Sequence, residues 1–455
     1  MSFRDARVVV MGLGRFGGGL AAARWLARQG AEVTVTDLGA EAELAESLAA
    51  LVSEPIARWR LGGHDEEDFR RADWVVVNPA VHPDSPFLQI ARASRARLTS
   101  EIELFLERCR APVVAVTGSN GKSTTAAMIA AALRAAGRRA WLGGNIGASL
   151  IECLDAIAPD DVVVLELSSF QLHYLSETAA WPSLAVVTQC APNHLDWHGS
   201  FAAYVAAKQR LLDHQRPGDV AVLNLRDAEV ARWRSRVRGR LVEPWDFDRL
   251  PELRLPGEHH RIDAALAAAA AESLGCETAA IRTGLAGFAG LPMRLEWFAV
   301  VDGRRYYNDS AATTPESTIA ALGAIDGPIW LLAGGRDKGF DLDPLAEQIV
   351  AAAAGSALFG AIGPSLGARV ARIEPSFPVA VFERVEPALG WVIERSRDGD
   401  AVLFSPAAAS TDQYRNFVER GRHFTALVRA LAGSRSGLAG GLPDGPKVAS
   451  PEPDD

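Results

Sequence analysis

Residues 113–125 read Val-Val-Ala-Val-Thr-Gly-Ser-Asn-Gly-Lys-Ser-Thr-Thr, and an alanine-rich helical pattern follows at 126–136. The β-branched run predicts a strand, and the glycines predict a turn whose backbone N–H groups point at an anion. The helix that begins there adds partial positive charge to the same place. Lys122 can reach the terminal phosphates of a nucleotide, and the Ser123 hydroxyl can bind Mg²⁺. The stretch therefore predicts a chain that binds and spends ATP.

The match to the standard phosphate loop is incomplete. That pattern has a glycine five residues before the Gly-Lys pair, where this chain has Val116. The alternative is a glycine-containing turn with a surface lysine. The order of strand, loop and helix favours the nucleotide site.

The composition narrows the class of protein. A chain of 455 residues, 48% of them apolar, is long enough for two to four domains. A net charge of −9 argues against a nucleic-acid-binding surface. The four cysteines are scattered, and without a secretory leader we expect them to be reduced thiols of a cytoplasmic protein. Because no apolar run is long enough to span a bilayer, we expect a soluble protein.

A βαβ pattern precedes the phosphate loop. It consists of a strand at Arg7–Met11, the turn Gly12-Leu13-Gly14-Arg15-Phe16-Gly17, a helix at Leu20–Gln29, and a strand at Glu32–Thr36 that ends at Asp37. The G-x-G-x-x-G spacing, with an acid about twenty residues later, is typical of a dinucleotide-binding unit. Alone it predicts a pyrophosphate at a helix start, and it says nothing about hydride transfer. A further strand at Trp74–Val77 and a helix at Ser100–Arg108 complete a small doubly wound domain.

Two more α/β blocks follow. Strands of the second are predicted at Val113–Thr117, Ala140–Leu142, Val162–Leu167, Leu184–Thr188 and Val220–Leu223, with a helix at Ile262–Leu274. Strands of the third are predicted at Trp297–Val301, Arg305–Asn308, Ile329–Ala333, Ala357–Ile362, Val379–Phe382 and Ala401–Phe404, with helices at Pro315–Ala324 and Asp412–Leu431. Alternating strands and helices predict a parallel sheet covered on both faces in the second block, and a further α/β unit in the third. We therefore predict three α/β domains, at 1–108, 109–290 and 291–434, and a disordered tail at 435–455.

Polar residues follow several predicted strands, at the sheet edge where such folds bind ligands. Glu166 ends one strand and can join Ser123 around Mg²⁺, although it can equally be an ordinary strand-end carboxylate. His194 lies in the loop after 184–188, where a lone histidine is more often structural. Lys208, in a helical run, is typical of a surface lysine when it is considered alone.

Three loops of small and polar residues end strands of the third block. They are Asn308–Ser310, Gly334–Gly339 and Ser405–Ser410. Together they predict one ligand-facing rim, where Lys338 or Arg336 can hold an acidic substrate. The alternative for each loop is a plain turn.

Taken together, these motifs resemble those of the Mur ligases, the ATP-dependent amide-forming enzymes of peptidoglycan precursor synthesis. The resemblance extends from about residue 5 to 432. Its segments are Thr117–Ser123, Gly143–Gly147, Leu165–Gln171, Asn193–Asp196, Ala207–Arg210, Asn308–Ser310, and the run from Ser405 through Ser410, Asp412-Gln413 and Asn416-Phe417 to Arg420-Gly421. As an ordered set these segments are highly specific.

The resemblance implies an N-terminal Rossmann-like domain for a UDP substrate, a central ATPase domain with a parallel sheet, and a C-terminal Rossmann-like domain. It implies that D-glutamate is joined to UDP-N-acetylmuramoyl-L-alanine through an acyl phosphate, with ATP and Mg²⁺ as cofactors. The partners are then these small-molecule substrates, without nucleic acid or membrane insertion. We expect a cytoplasmic monomer.

The resemblance also implies roles for individual residues. The UDP substrate would contact Gly14, Arg15, Phe16, Asp37, Asn145 and Ser168. ATP would contact Gly118, Asn120, Gly121, Lys122, Ser123, Thr124, Arg294 and Asp309. Glutamate would contact Thr313, Lys338, Ser410 and Phe417. The catalytic set would be Lys122, Glu166, His194 and Lys208, and the metal ligands would be Ser123, Glu166, His194 at a second Mg²⁺, and Lys208 if it is carbamylated as in the family.

Some positions depart from the family pattern and leave alternatives open. Ala311 stands where the family has lysine after Asn-Asp-Ser, and His260 stands where it has asparagine. The Asn-Asp-Ser-x-x-Thr-Thr-Pro run is similar to a sister group that adds L-glutamate, so ligation of L-glutamate is an alternative. The segment from Ser410 to Phe417 favours D-glutamate.

Functions of other classes also stay open. The fold can serve as a nucleotide-binding regulator without turnover, but the complete set of four catalytic residues argues against this. An NAD-dependent oxidoreductase leaves the second nucleotide loop without a purpose. A folylpolyglutamate synthase lacks the N-terminal βαβ unit.

Overall fold

The computed structural model of the chain describes residues 3–13 and 17–433. Three residues predicted at the UDP substrate, Gly14, Arg15 and Phe16, and the predicted tail at 435–455 lie outside the described residues. The chain divides into two compact units. The first contains the chain up to Glu252 together with Ile262–Gly287, and the second contains Leu253–Arg261 and the chain from Phe288 onward.

The first unit begins with a five-stranded parallel sheet, in the order β3-β2-β1-β4-β5 once the strands are numbered along the chain. The strands are β1 (Arg7–Met11), β2 (Glu32–Asp37), β3 (Arg58–Leu61), β4 (Trp74–Val77) and β5 (Arg97–Thr99). The helices are α1 (Gly18–Arg28), α2 (Ala45–Leu51), α3 (Glu66–Arg71), α4 (Pro86–Ala93) and α5 (Glu101–Leu106), with a 3₁₀ turn at Glu41–Leu44. Val8 and Val10 pack in one core cluster with α1, while Val9 and Met11 pack in another with α3 and α4. Helices therefore cover both faces, which is why β1 is apolar throughout.

A six-stranded parallel sheet in the order β11-β10-β9-β6-β8-β7 follows in the same unit. The strands are β6 (Val113–Thr117), β7 (Ala140–Gly144), β8 (Val162–Glu166), β9 (Leu184–Val187), β10 (Val220–Leu223) and β11 (Arg240–Val242). The helices are α6 (Lys122–Ala135), α7 (Ser169–Tyr174), α8 (Leu195–His198), α9 (Phe201–Asp213), α10 (Ala228–Arg232), α11 (Glu258–Ser273) and α12 (Thr278–Gly287), with 3₁₀ turns at Ile151–Ala156, Trp233–Arg236 and Phe247–Arg249. Every residue of α11 from Ala264 to Ala271 is buried, and seven of the eight are alanine.

The second unit holds a six-stranded mixed sheet in the order β12-β13-β17-β14-β15-β16. The strands are β12 (Glu296–Val301), β13 (Arg304–Asn308), β14 (Ile329–Gly334), β15 (Gly355–Phe359), β16 (Val379–Phe382) and β17 (Ala401–Phe404). The helices are α13 (Pro315–Leu322), α14 (Asp343–Ala352), α15 (Gly363–Ile373), α16 (Val385–Arg395) and α17 (Phe417–Gly433). Only β12 runs antiparallel to its neighbour among the described strands of this sheet. It joins β13 through Asp302-Gly303, both with positive φ, and Asp-Gly is a favoured pair for such a two-residue turn.

The predicted start of the helix at Asp412–Leu431 was wrong. The structure begins α17 at Phe417, because the side chain of Asn416 caps the helix by accepting from the Glu419 N–H at 2.9 Å. The strand predicted at Ala357–Ile362 ends at Phe359, because Gly360 turns the chain with a φ of 64°. The helix predicted from Ile262 begins earlier, at Glu258, directly after Gly257, where φ is 97°.

No helix among the described residues, 3–13 and 17–433, combines the length and the apolar character that crossing a bilayer requires.

Candidate active site

The predicted phosphate loop lies between β6 and α6. Gly118 and Gly121 have φ values of 149° and 80°, where a side chain is disfavoured. A Cβ atom on Gly118 would lie 1.9 Å from Thr188 Oγ1, so the loop also lacks room for one. The same Thr188 hydroxyl donates to the Asn120 carbonyl oxygen at 2.5 Å. The loop is therefore held by Thr188, the residue that follows β9.

The first turn of α6 carries the side chains that point to nucleotide chemistry. Lys122 is the first residue of the helix, and its Nζ donates to the Ser119 carbonyl oxygen at 2.8 Å. Ser123 and Thr124 follow, and both are buried. The Ser123 hydroxyl donates to Glu166 Oε2. Since Val116 of β6 pairs with Glu166 of β8, strand register brings these two predicted metal ligands together.

Glu166 has a second polar neighbour. Asn145 Nδ2 donates to Glu166 Oε1 at 2.9 Å, and the Asn145 N–H donates to the Glu166 carbonyl oxygen at 2.8 Å. Within the described residues no group of three or more His, Cys, Asp or Glu side chains is arranged to hold a metal ion. Mg²⁺ prefers oxygen ligands, and it usually binds one or two protein groups together with waters and substrate phosphates. The hydroxyl of Ser123 and the carboxylate of Glu166 are oxygen ligands of the kind that fits Mg²⁺ shared with a nucleotide.

Lys208 is buried, with 1% of its surface exposed, so the pattern-based view of it as a surface lysine was wrong. It lies on α9, and its Nζ donates to the Gly118 carbonyl oxygen at 2.7 Å and to Thr117 Oγ1 at 3.4 Å. Burial, and then the positive charge of Lys122, lower the Lys208 pKa well below its usual value. The surroundings of Lys208 therefore disfavour the charged form of its amine, which lies against the phosphate loop.

His194 is the residue immediately before the short helix α8 and has a left-handed backbone, with φ of 53°. Its ring centroid lies 4.7 Å from that of Phe170 and 6.5 Å from that of Tyr204. Phe170 also stacks on His198, whose Nε2 lies 2.9 Å from Ser169 Oγ. Burial lowers the pKa of His198 to about 4. His194 thus lies among aromatic rings that link it to the helix of Lys208.

The other predicted substrate residues of the first unit make local contacts. Asp37 ends β2, and its carboxylate accepts from the N–H groups of Leu13 and Gly39, at 2.9 and 2.8 Å. Ser168 caps α7, where its hydroxyl accepts from the Gln171 N–H at 3.2 Å. Of these three residues, Asn145 is the one that contacts a predicted catalytic residue, Glu166.

The second unit holds the predicted pair Arg294 and Asp309. Asp309 is buried at the end of β13, and burial raises its pKa to about 7. Hydrogen bonds from Ser405 Oγ at 2.7 Å and from the Leu295 N–H at 2.9 Å oppose that rise, as does the charge of Arg294. The two residues therefore lie close enough to interact electrostatically.

The three polar loops of the third block lie side by side, because β13, β17 and β14 are neighbours in the sheet. The Arg336 N–H donates to the Ala409 carbonyl oxygen at 2.8 Å and joins two of these loops. Of the residues predicted to contact glutamate, Lys338 is exposed, Thr313 and Phe417 are half-buried, and Ser410 is buried. The Phe417 carbonyl oxygen accepts from Ser310 Oγ at 2.8 Å.

Sequence reasoning gave no role to Arg420, which is 1% exposed. Its guanidinium donates to the carbonyl oxygens of Ser310 at 2.9 Å and Ala408 at 3.0 Å, and so bridges two of the polar loops. Burial lowers its pKa to about 10. The signal that the sequence offered was its place, one turn after Phe417, in the family-like segment that ends at Arg420-Gly421.

Comparison with protein families gives three matches in chain order. They are the Mur ligase MurD-like N-terminal domain at residues 6–100, the Mur ligase middle domain at 116–252, and the Mur ligase glutamate ligase domain at 293–408. Among curated proteins, the chain is similar to the UDP-N-acetylmuramoylalanine–D-glutamate ligase of Roseiflexus sp. (strain RS-1), with 39% identity over 95% of this chain and 100% of that protein. It is also similar to the enzyme of that name from Symbiobacterium thermophilum, with 38% identity over 94% of this chain and 98% of that protein.

Solved structures share the fold. The UDP-N-acetylmuramate-alanine ligase MurC from Thermotoga maritima is 19% identical with a TM-score of 0.61, and covers 93% of this chain and 99% of its own. The MurF ligase of the same organism, solved with ADP, is 16% identical with a TM-score of 0.59, and covers 95% of this chain and 96% of its own. With three family domains in order and relatives this similar over nearly its whole length, the chain belongs to the Mur ligase family.

Proposed function

We propose that this protein joins D-glutamate to UDP-N-acetylmuramoyl-L-alanine at the expense of ATP. The observation that carries the proposal is the phosphate loop whose carbonyl oxygens accept from Lys122 and from the buried Lys208, next to the Ser123–Glu166 pair. The relatives that bear the name of this activity, at 38–39% identity, support the choice of D-glutamate over L-glutamate.

The reaction has two steps. The carboxylate of the UDP substrate attacks the γ-phosphorus of ATP, so that an acyl phosphate forms and ADP leaves. The amine of glutamate then attacks the acyl carbon, phosphate leaves, and the amine loses a proton as the amide forms. Lys122 offsets the negative charge on the phosphoryl group during the first step. Main-chain N–H groups of the turn at Gly118, Asn120 and Gly121 cradle the phosphates.

Ser123 and Glu166 would hold Mg²⁺, with His194 at a second ion. Bound Mg²⁺ supplies charge neutralisation and orientation of the phosphates. Asn145 keeps the Glu166 carboxylate in place through its 2.9 Å hydrogen bond. Thr124, in the same turn of α6 as Ser123, completes the phosphate side of the site.

Lys208 would react with CO₂ as a neutral amine, forming a carbamate and releasing one proton. The lowered pKa of Lys208 supports this step, because only the unprotonated nitrogen has a free electron pair. The carbamate nitrogen keeps one hydrogen, which can still be donated to the Gly118 carbonyl oxygen, 2.7 Å away. The new carboxylate can then orient a metal ion or the γ-phosphate.

The remaining roles follow the three proposed domains. Residues 1–108 would bind the UDP part of the substrate, 109–290 would bind ATP, and 291–434 would bind glutamate. Asp37, Asn145 and Ser168 would contact the UDP substrate, and Arg294 and Asp309 would contact ATP. Thr313, Lys338, Ser410 and Phe417 would surround glutamate. ATP and UDP-sugars are cytoplasmic metabolites, so we place the protein in the cytoplasm. We also propose that it acts as a monomer.

The test is phosphate release by the purified protein with UDP-N-acetylmuramoyl-L-alanine, ATP, Mg²⁺ and either enantiomer of glutamate. We expect release that requires the UDP substrate and D-glutamate together. Faster release with L-glutamate would assign the protein to the sister specificity. Nucleotide binding without release under any of these conditions would make it a regulator on the ligase fold.

A further inference from the structure

Ser119 is a buried residue of the phosphate loop to which no role has been given so far. Its hydroxyl donates to the Ala191 carbonyl oxygen at 2.8 Å and accepts from the Ala191 N–H at 3.0 Å. It also lies 2.9 Å from the hydroxyl of Tyr204. Ser119 thus joins the phosphate loop to α9 and to the loop that leads from β9 to His194.

The donor in the Ser119–Tyr204 hydrogen bond follows from counting the donors and acceptors of the Ser119 hydroxyl. A serine hydroxyl has one hydrogen and two lone pairs. Ser119 gives its hydrogen to the Ala191 carbonyl oxygen, so in the third bond the Tyr204 phenol must be the donor. Burial raises the pKa of Tyr204 above its usual value, which keeps the phenol protonated and able to donate.

Tyr204 and Lys208 are one helical turn apart on α9 and both are 1% exposed. They bond to consecutive residues of the phosphate loop, Tyr204 to Ser119 and Lys208 to Gly118. The Lys208 Nζ lies 4.7 Å from the centroid of the Tyr204 ring. The ring and the loop carbonyl together confine the lysine nitrogen.

We infer that Tyr204 and Ser119 are positioning residues of the ligation, because their hydrogen bond fixes the Lys208 side chain against the phosphate loop. The inference rests on the proposed function, in which Lys208 acts on the phosphate side of the reaction. Neither residue needs to touch a substrate. Each acts through Lys208 and through the loop that carries His194.

The kinetic test compares Tyr204→Phe, Ser119→Ala and the double variant. Tyr204→Phe keeps the ring and removes only the donor to Ser119. We expect kcat to fall about tenfold, the effect of one lost hydrogen bond at about 1.4 kcal/mol per factor of ten. KM for ATP should change less than about twofold, because the loop keeps its bonds from Thr188 to Asn120 and from the Ser119 N–H to Gln189. The double variant should be no slower than Ser119→Ala, because both changes remove the same bond.

Tyr174→Phe is the matched control. Its hydroxyl donates to the Val81 carbonyl oxygen at 2.7 Å, so this change removes a comparable bond from the same unit without touching the phosphate loop. We expect it to keep kcat within about twofold. An equal fall in Tyr174→Phe and Tyr204→Phe, an unchanged kcat in Tyr204→Phe, or multiplied losses in the double variant would each overturn the inference.

A second measurement does not depend on turnover. The sequence has only four lysines, Lys122, Lys208, Lys338 and Lys447, so the ε-methylene signals of ¹³C-labelled lysine can be assigned by single substitutions. The Tyr204 ring should shift the Lys208 ε-protons upfield. Ser119→Ala, which leaves the ring itself intact, should reduce that shift, and Tyr174→Phe should not. If the wild type shows no D-glutamate-dependent turnover, the proposed function fails, and this signal still tests whether the Tyr204–Ser119 bond positions Lys208: no change in Ser119→Ala refutes that.

Discussion

Lys208 shows that the sequence around a residue need not reveal its surroundings in the folded protein. Its sequence neighbourhood is that of an exposed helical lysine, and only the family resemblance marked it as special. The structure buries it beneath the phosphate loop and lowers its pKa. Burial of this kind depends on which elements meet in space, so a local pattern cannot reveal it.

Replacing Lys208 tests the carbamate directly. Lys208→Ala should reduce turnover by at least about 10²-fold, because a charged group that orients the phosphates is lost. Short carboxylic acids should restore part of the activity by filling the vacated space with a carboxylate. Rates are measured with and without acetate or propionate. Lys122→Ala serves as the control, since its loss should not be rescued, and absence of rescue in Lys208→Ala would leave the carbamate without support.

Asp309 predicts a dependence of stability on pH. Its folded pKa of about 7 lies above the usual value of about 3.9, so the folded state binds more protons than the unfolded state between these pH values. The free energy of unfolding should therefore fall as pH rises from about 4 to 7, and the loss is complete above pH 7. Asp309→Asn removes this contribution, which is of the order of a few kcal/mol at about 1.4 kcal/mol per pKa unit.

The measurement is denaturant unfolding of both proteins at pH 5 and pH 8. The wild type should lose more stability than Asp309→Asn over this interval. All other titrating groups are shared, so they cancel in the comparison. Parallel losses in the two proteins would contradict a raised pKa at Asp309.

At the scale of elements, the phosphate loop depends on a glycine for two separate reasons. Gly121 has positive φ, and a Cβ atom there would lie 2.4 Å from Asp263 Oδ1. Asp263 is itself held by a hydrogen bond from Thr125 Oγ1 at 3.0 Å, so it has little freedom to move away. Gly121→Ala should therefore raise KM for ATP at least about tenfold, beyond the backbone strain of about 1–2 kcal/mol.

Gly137 provides the comparison at the other end of α6. It also has positive φ, but a Cβ atom there meets nothing within 4 Å. Gly137→Ala should lower the melting temperature slightly and leave KM for ATP unchanged. Equal effects of the two variants on KM would mean that the Asp263 contact does not matter.

Elements with a strong local pattern were predicted well. The valine-rich strands β1, β4 and β6 have the bounds that their apolar runs indicate, and the phosphate loop follows β6 as predicted. Three strands that the sequence did not reveal, β3, β5 and β11, contain arginine at alternate or terminal positions and pair only because neighbouring strands supply partners. Helix ends were displaced where a cap or a glycine decided them, as at Asn416.

For the molecule as a whole, the fold class and the order of the domains followed from the sequence, and the family matches agree with both. What the sequence left unassigned was the set of contacts that joins its motifs, such as Arg420 between two loops and Ser119 between three elements. These contacts join residues up to 110 positions apart along the chain. No periodicity within a short window carries that information.

The proposed roles of the domains predict which KM values change when a residue of the second unit is replaced. Lys338→Ala removes an exposed positive charge from the loop after β14, where we place the glutamate carboxylates. KM for D-glutamate should rise at least about tenfold, while KM for ATP changes less than about twofold. Lys338→Arg keeps the charge and is the control. A similar rise in both constants would remove Lys338 from the amino-acid site.

The run of buried alanines in α11 has a practical consequence. Where consecutive positions around a helix are all enclosed, a larger side chain must displace its neighbours, and added methylenes in a packed core typically cost about 1–3 kcal/mol. Ala267→Val or Ala268→Val should therefore yield a protein that is active at low temperature and unfolds on warming. Such a conditional allele would let growth temperature switch the enzyme off in a living cell without any inhibitor.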